Sequence, residues 1–111
     1  MKEFWSRILE FNDKFFPNWR ENKELIFFSN AIAGEVGELC GLVKRLYGGG
    51  TNKHPPITVC DLVFEVIDYM IYSVLFLEIL GVSEDSFKFY FDLKMNQLYE
   101  RMRSNGKNEG N

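Results

Sequence analysis

The stretch from Asp61 to Tyr72, DLVFEVIDYMIY, sets two acidic side chains, Glu65 and Asp68, into the most apolar part of this sequence. At about 100° per residue, Asp61, Glu65, Asp68 and Tyr72 fall on one face of a helix. A lone carboxylate in apolar surroundings is costly, so it either takes up a proton or finds a cation. A second acidic pair, Glu35 and Glu38 in EVGEL, lies upstream with the same spacing. Two helices that each present such a pair point to an all-oxygen cage for a hard divalent cation. The rest of the chain reads as support for that cage.

Four helical patterns are legible. In residues 2–16, Phe4, Ile8, Phe11 and Phe15 recur at helical spacing, with Trp5 and Leu9 beside them, and Pro17 stops the pattern. The segment PNWRENKE reads as a connection that carries Trp19. A second pattern runs from about Glu24 to Tyr47 and ends at Gly48-Gly49-Gly50. The loop TNKHPPI follows, and its Pro55-Pro56 pair blocks helix formation. Thr58 and Asp61 have capping-box spacing, which predicts a helix from there to Leu80, closed by Gly81. Ser83 is suited to cap the last helix, and Glu84 and Asp85 suit its positive end. That helix is expected to reach Arg103, with 104–111 an unstructured tail. No strand alternation, repeat or dividing linker interrupts the pattern, so residues 1–103 are expected to form one all-α domain of four helices.

Composition narrows the partners. A net charge of −3 over 111 residues gives no electrostatic footprint for nucleic acid or an anionic membrane. The longest uncharged stretch of the central helix, Tyr69 to Leu77, is nine residues, where a span needs about 20. No signal-peptide layout opens the chain, since Glu3, Arg7 and Glu10 interrupt it. Cys40 and Cys60 lack metal-ligand spacing and read as reduced, packed thiols. A cytoplasmic protein without a membrane partner is expected. Eleven phenylalanines, five tyrosines and two tryptophans are much bulky apolar surface for so short a chain, so a homodimer or a dimer of dimers is expected as well.

Four carboxylates directed into one space repel strongly unless a cation sits among them. Ala31 and Leu42 share the Glu35/Glu38 face, and Phe64, Val66, Ile67 and Met70 flank Glu65 and Asp68. Gly34, Gly37 and Gly41 each cost helix propensity, and would be tolerated where another backbone or a ligand comes close. On the last helix, Lys94 and Arg101 share a face with Phe87 and Leu98, where their stems can pack while their charged ends reach an anion. Arg45 lies near the Glu35/Glu38 face and could balance its charge or reach a phosphate. The chemistry suggested is a metal-held polyphosphate surrounded by cations.

These residues together resemble the MazG-like all-α nucleoside triphosphate pyrophosphohydrolases. The resemblance spans about residues 28–102 and rests on EVGELCGLV at 35–43, EVIDYMIY at 65–72 and KMNQLYER at 94–101. It implies a four-helix-type bundle of the all-α NTP pyrophosphatase kind. It also implies hydrolysis of (deoxy)nucleoside triphosphates to monophosphate and pyrophosphate with Mg²⁺, for which Mn²⁺ can substitute. Glu35, Glu38, Glu65 and Asp68 would be the metal ligands, with Glu38 helping to orient the attacking water. Lys94, Arg101 and Arg45 would bind phosphates, and Tyr72 or Trp19 could stack on the base. Leu98 stands where many relatives have an Asn four residues after the Lys. Two other readings remain open, a same-fold hydrolase of another pyrophosphate such as phosphoribosyl-ATP and a non-enzymatic helical interaction module. A ferritin-like di-iron site would need a His three residues after a Glu on two helices, and the single histidine, His54, lies in the Pro-rich loop.

Overall fold

The structure, a computed structural model, describes residues 2–48 and 56–109. Gly49, Gly50 and residues 51–55, including His54 and Pro55 of the expected loop, lie outside the described residues, as does the end of the tail. The architecture is all-α. Among the described residues five helices follow in order, α1 (Lys2–Phe15), α2 (Trp19–Asn22), α3 (Leu25–Tyr47), α4 (Val59–Ile79) and α5 (Glu84–Glu109). They divide into two compact units, Met1–Leu80 and Gly81–Asn111, a division that no linker in the sequence marks.

In the first unit, α3 packs along α4, and α1 packs on α4. Phe28 shares the core cluster with Leu75, Glu35 and Glu38 lie beside Glu65, and the charge of Arg45 reaches Asp61. The numbering of facing residues runs in opposite directions, so α3 and α4 are an antiparallel pair. Trp19, Phe28 and Leu75 form the buried centre, and Ile8, Ile71, Tyr72 and Phe76 pack around it half-buried. Trp19 meets Phe28 edge to face, with ring centroids 5.8 Å apart.

The connection PNWRENKE contains a helical turn of its own. Asn18 adopts φ 65°, a left-handed conformation that asparagine tolerates better than most residues, and α2 starts directly after it. The indole Nε1 of Trp19 donates to Asp13 Oδ1 at 2.7 Å, and the Arg20 guanidinium lies over the Trp19 ring while bonding the same carboxylate oxygen at 2.9 Å. From α1, Trp5 Nε1 donates to Glu78 Oε1 of α4 at 2.7 Å. These bonds hold α1 and α2 against the end of α4, and they set the rotation of α1. Trp5 is therefore buried while Phe11 and Phe15 are more than half exposed, which corrects the stripe expected from Phe4, Ile8, Phe11 and Phe15.

The caps of α4 form as their residue types dictate. Thr58 N donates to Asp61 Oδ2 at 2.9 Å and Asp61 N donates to Thr58 Oγ1 at 3.1 Å, a complete capping box. Gly81, at φ 81°, takes the left-handed position just past the helix end. In the second unit, Ser86 N donates to Ser83 Oγ at 3.3 Å, and α5 opens with Glu84 and Asp85 in its first turn. It continues through Glu109, past the end expected at Arg103, because Ser104, Asn105 and Gly106 weaken a helix without blocking it and no proline follows.

The glycines of α3 do not mark close packing. Among the described residues, a Cβ added at Gly34, Gly37 or Gly41 meets nothing within 4 Å. At 23 residues, and with an 18-residue window of mean hydropathy 1.3, α3 is long and apolar enough to cross a membrane by length and composition alone. Cys40 and Cys60 are free and exposed, where packed thiols were expected. Much apolar surface also stays open, with Phe64 and Phe89 both 62% exposed.

Candidate metal centre

Helical spacing brings the two acidic pairs together. Glu35 and Glu38 lie one turn apart on α3, and the antiparallel pairing sets Glu65 of α4 against them. One carboxylate oxygen from each of Glu35, Glu38 and Glu65 lies within 4.8 Å of the others. Glu35 and Glu65 are half-buried and Glu38 is exposed. Asp68, one turn further along α4, falls outside this closest group, but its charge acts on both Glu35 and Glu65.

The electrostatics of the cluster are those of carboxylates lacking a counter-charge. Burial is the main force that raises the Glu35 carboxyl from its ordinary 4.5 to about 7. A hydrogen bond with Glu65 and the negative charges of Glu38, Asp68 and Glu65 act in the same direction. Burial also raises Glu65, and the charges of Glu38 and Asp68 add to it, while the hydrogen bond with Glu35 opposes them. Among the described residues, no N–H or hydroxyl donor reaches the buried Oε2 of Glu35 or the buried Oε2 of Glu65. Most buried polar atoms in folded proteins do find a partner, so two orphaned oxygens in one cluster call for one. A divalent cation fits them. The donor set is all carboxylate oxygen, which suits Mg²⁺, Mn²⁺ or Ca²⁺ and disfavours softer metals.

The remaining expected site residues fall in different places. Asp61 shares the acidic face in sequence, but its carboxylate is engaged in the capping box. Hydrogen bonds from Thr58, with a smaller contribution from Arg45, hold it below the usual carboxylate range. Arg45 is half-buried two turns beyond Glu38 on α3. Lys94 and Arg101 lie seven residues apart on α5, both exposed and in no ion pair among the described residues. Trp19, a candidate base contact, is 4% exposed, and its ring is covered by Phe28 and Arg20, so it serves the core. Tyr72 is half-buried and lines an open groove of about 520 Å³ between α1 and α4, together with Asp68 and Asn12.

The α1 side of that groove, with Arg7, Asn12 and Phe16, is absent from the sequence reading. One signal for it was available. Asn12 follows Trp5 by seven residues and Ile8 by four, so it puts a carboxamide on the stripe that α1 turns inward. Comparison with family models, with curated proteins and with solved structures finds no match to this chain.

Proposed function

We propose that this chain is a Mg²⁺-dependent hydrolase that cleaves (deoxy)nucleoside triphosphates to monophosphate and pyrophosphate. The observation that carries the reading is the pair of orphaned carboxylate oxygens on Glu35 and Glu65, set beside a third carboxylate, Glu38. The motifs EVGEL, EVIDYMIY and KMNQLYER supply the reaction class by their resemblance to the MazG-like pyrophosphohydrolases. Glu35, Glu38 and Glu65 would hold the ion, with Asp68 beside them. When bound, Mg²⁺ supplies positive charge against the phosphate oxygens and makes nearby water more acidic.

The chain's own residues have distinct tasks in this reading. Glu38, the exposed member of the cluster, is assigned to orient a water and accept its proton, a role its opening to solvent supports. The water oxygen bonds to the α-phosphorus, the bond from that phosphorus to the α–β bridging oxygen breaks, and pyrophosphate leaves with that oxygen. Lys94, Arg101 and Arg45 are the cations assigned to the phosphates, where they offset charge that grows on the leaving group. The four-helix bundle, a homodimer or dimer of dimers that covers the exposed aromatics, and a cytoplasmic location belong to the same proposal.

Incubating the protein with each common NTP and dNTP in Mg²⁺, and resolving the products by chromatography, tests it. Monophosphate and pyrophosphate support the reading. Diphosphate and orthophosphate would place cleavage at the wrong bond. Turnover of phosphoribosyl-ATP alone, or of nothing, would replace the proposal with one of the two alternatives.

A further inference from the structure

We propose that α1 is a hinged strap, latched to α4 by the bond between Trp5 and Glu78, braced by Arg20, and able to swing away while α3 and α4 stay folded. The device belongs to the first unit alone and does not depend on the reaction proposed above.

Polar bonds hold α1 in place more than apolar contact does. Among its described residues Trp5 alone is buried, Ile8 and Leu9 are half-buried, and Phe11 and Phe15 are more than half exposed. Helix α4 meets α3 far more than it meets α1, and a groove of about 520 Å³ stays open between α1 and α4. The polar bonds run through three helices without a break. Trp5 Nε1 of α1 donates to Glu78 Oε1 of α4 at 2.7 Å. One guanidinium nitrogen of Arg20, in α2, lies 3.9 Å from Glu78 Oε2, and the other bonds Asp13 Oδ1 of α1 at 2.9 Å. Trp19 Nε1 of α2 donates to that same Asp13 oxygen.

Two features make this a latch rather than a fixed seam. The first is Glu78, whose side chain is 16% exposed and whose partners Trp5 and Arg20 come from α1 and α2. A carboxylate so covered needs partners or water. With α1 docked it has the indole and the guanidinium, and with α1 away water takes the place of the indole. Hydration offsets much of the lost bond, which keeps the two positions close in free energy. The second is a pivot at the opposite end of α1. Pro17 brings no backbone donor, and Asn18 takes φ 65° with no side-chain cap bond, a conformation that release of α1 can relax. Beyond the pivot, Trp19 is buried edge to face against Phe28, so α2 stays with the core. Asp13 lies near the pivot and moves least, whereas Trp5 lies far from it and moves most. The swing uncovers the α4 side of the groove, with Ile67, Asp68, Ile71 and Tyr72, and so governs access to the space next to the acidic cluster.

Native-state hydrogen exchange on the full wild-type chain, in rising urea below the unfolding transition, tests the strap without any substitution. The amides of α1 should exchange through an opening that depends little on urea, while those of α3 and α4 wait for global unfolding. Glu78→Ala removes the latch and Arg20→Met the brace, with circular dichroism to establish folding. In Glu78→Ala the α1 amides should exchange about 10–100-fold faster, with α3 and α4 unchanged. Arg20→Met should show a smaller rise, because the bond from Trp5 to Glu78 remains. Emission of the apolar dye ANS should increase in folded Glu78→Ala as the groove is uncovered. Wild-type α1 amides that exchange only with global unfolding overturn the proposal, and that result stands even where Glu78→Ala does not fold. Equal quickening of α1, α3 and α4 in a folded variant also overturns it, since Glu78 would then serve general stability alone. So does unchanged α1 exchange in folded Glu78→Ala, or faster exchange with no gain in ANS emission.

Discussion

Raising the pH through 7 in the presence of a chelator should destabilise the protein through Glu35. The Glu35 carboxyl sits at about 7 in the folded chain, against an ordinary value of 4.5, so the folded state holds a proton that the unfolded state releases. The stabilisation from that proton is complete below the ordinary value and is lost as the pH climbs through about 7. At full value such a difference amounts to about 3 kcal/mol. Solvent around a half-buried group reduces that to about 1–2 kcal/mol, or roughly 5–10 °C in Tm for a chain of this size. Differential scanning calorimetry between pH 5 and 8.5 in EDTA, on the wild type and on Glu35→Gln, measures it. The glutamine cannot titrate, so its Tm should fall less across that range. Above pH 7, Mg²⁺ should recover the wild-type loss by replacing the proton with a cation. Identical pH profiles for the two proteins would refute the argument that burial and crowding of carboxylates govern this site.

Three further outcomes are expected. Gly41→Ala should raise stability by about 1 kcal/mol in chemical denaturation, since α3 gains helix propensity and the added methyl meets open space; a loss would mean that another backbone or a ligand approaches there. Thr58→Ala should cost about 1 kcal/mol by the same measurement, because it deprives the Asp61 backbone N–H of its acceptor. In steady-state kinetics, Glu38→Gln should lower kcat by about 10²–10⁴-fold in a folded protein, whereas Lys94→Ala should lose less because Arg101 can still meet a phosphate; the reverse order would count against Glu38 as the carboxylate that handles water.

Features fixed by neighbouring residues were legible from the sequence. The Thr58–Asp61 box, the left-handed Gly81 and the Ser83 cap each depend on side chains within four positions of the bond they make. The meeting of Glu35 and Glu38 with Glu65 was legible for a related reason, since helical spacing gives each pair one face and the antiparallel packing of α3 on α4 brings those faces together. Asp61 shared that face too, but its cap claims its carboxylate, a competition that wheel geometry alone does not resolve. The rotation of α1 was not legible. Its apolar residues cover more than one face, and the choice falls to Trp5 through a bond to Glu78, far away in the chain. The turn of α2 was hidden because it needs Asn18 in a left-handed conformation, and its Trp19 is held by Asp13 of α1. The raised Glu35 carboxyl, likewise, exists only once α3 and α4 have packed.

The proposed site depends most directly on whether Glu35, Glu38 and Glu65 bind one hard cation. Mn²⁺ titration followed by electron paramagnetic resonance at pH 7, on the wild type and on Glu65→Gln, measures this without any substrate. A single class of saturable sites in the wild type is predicted, with proton release on binding as Glu35 gives up its proton, and with Mn²⁺ affinity falling at least tenfold in Glu65→Gln. Non-saturating uptake by the wild type, or equal affinity in the folded variant, would contradict it.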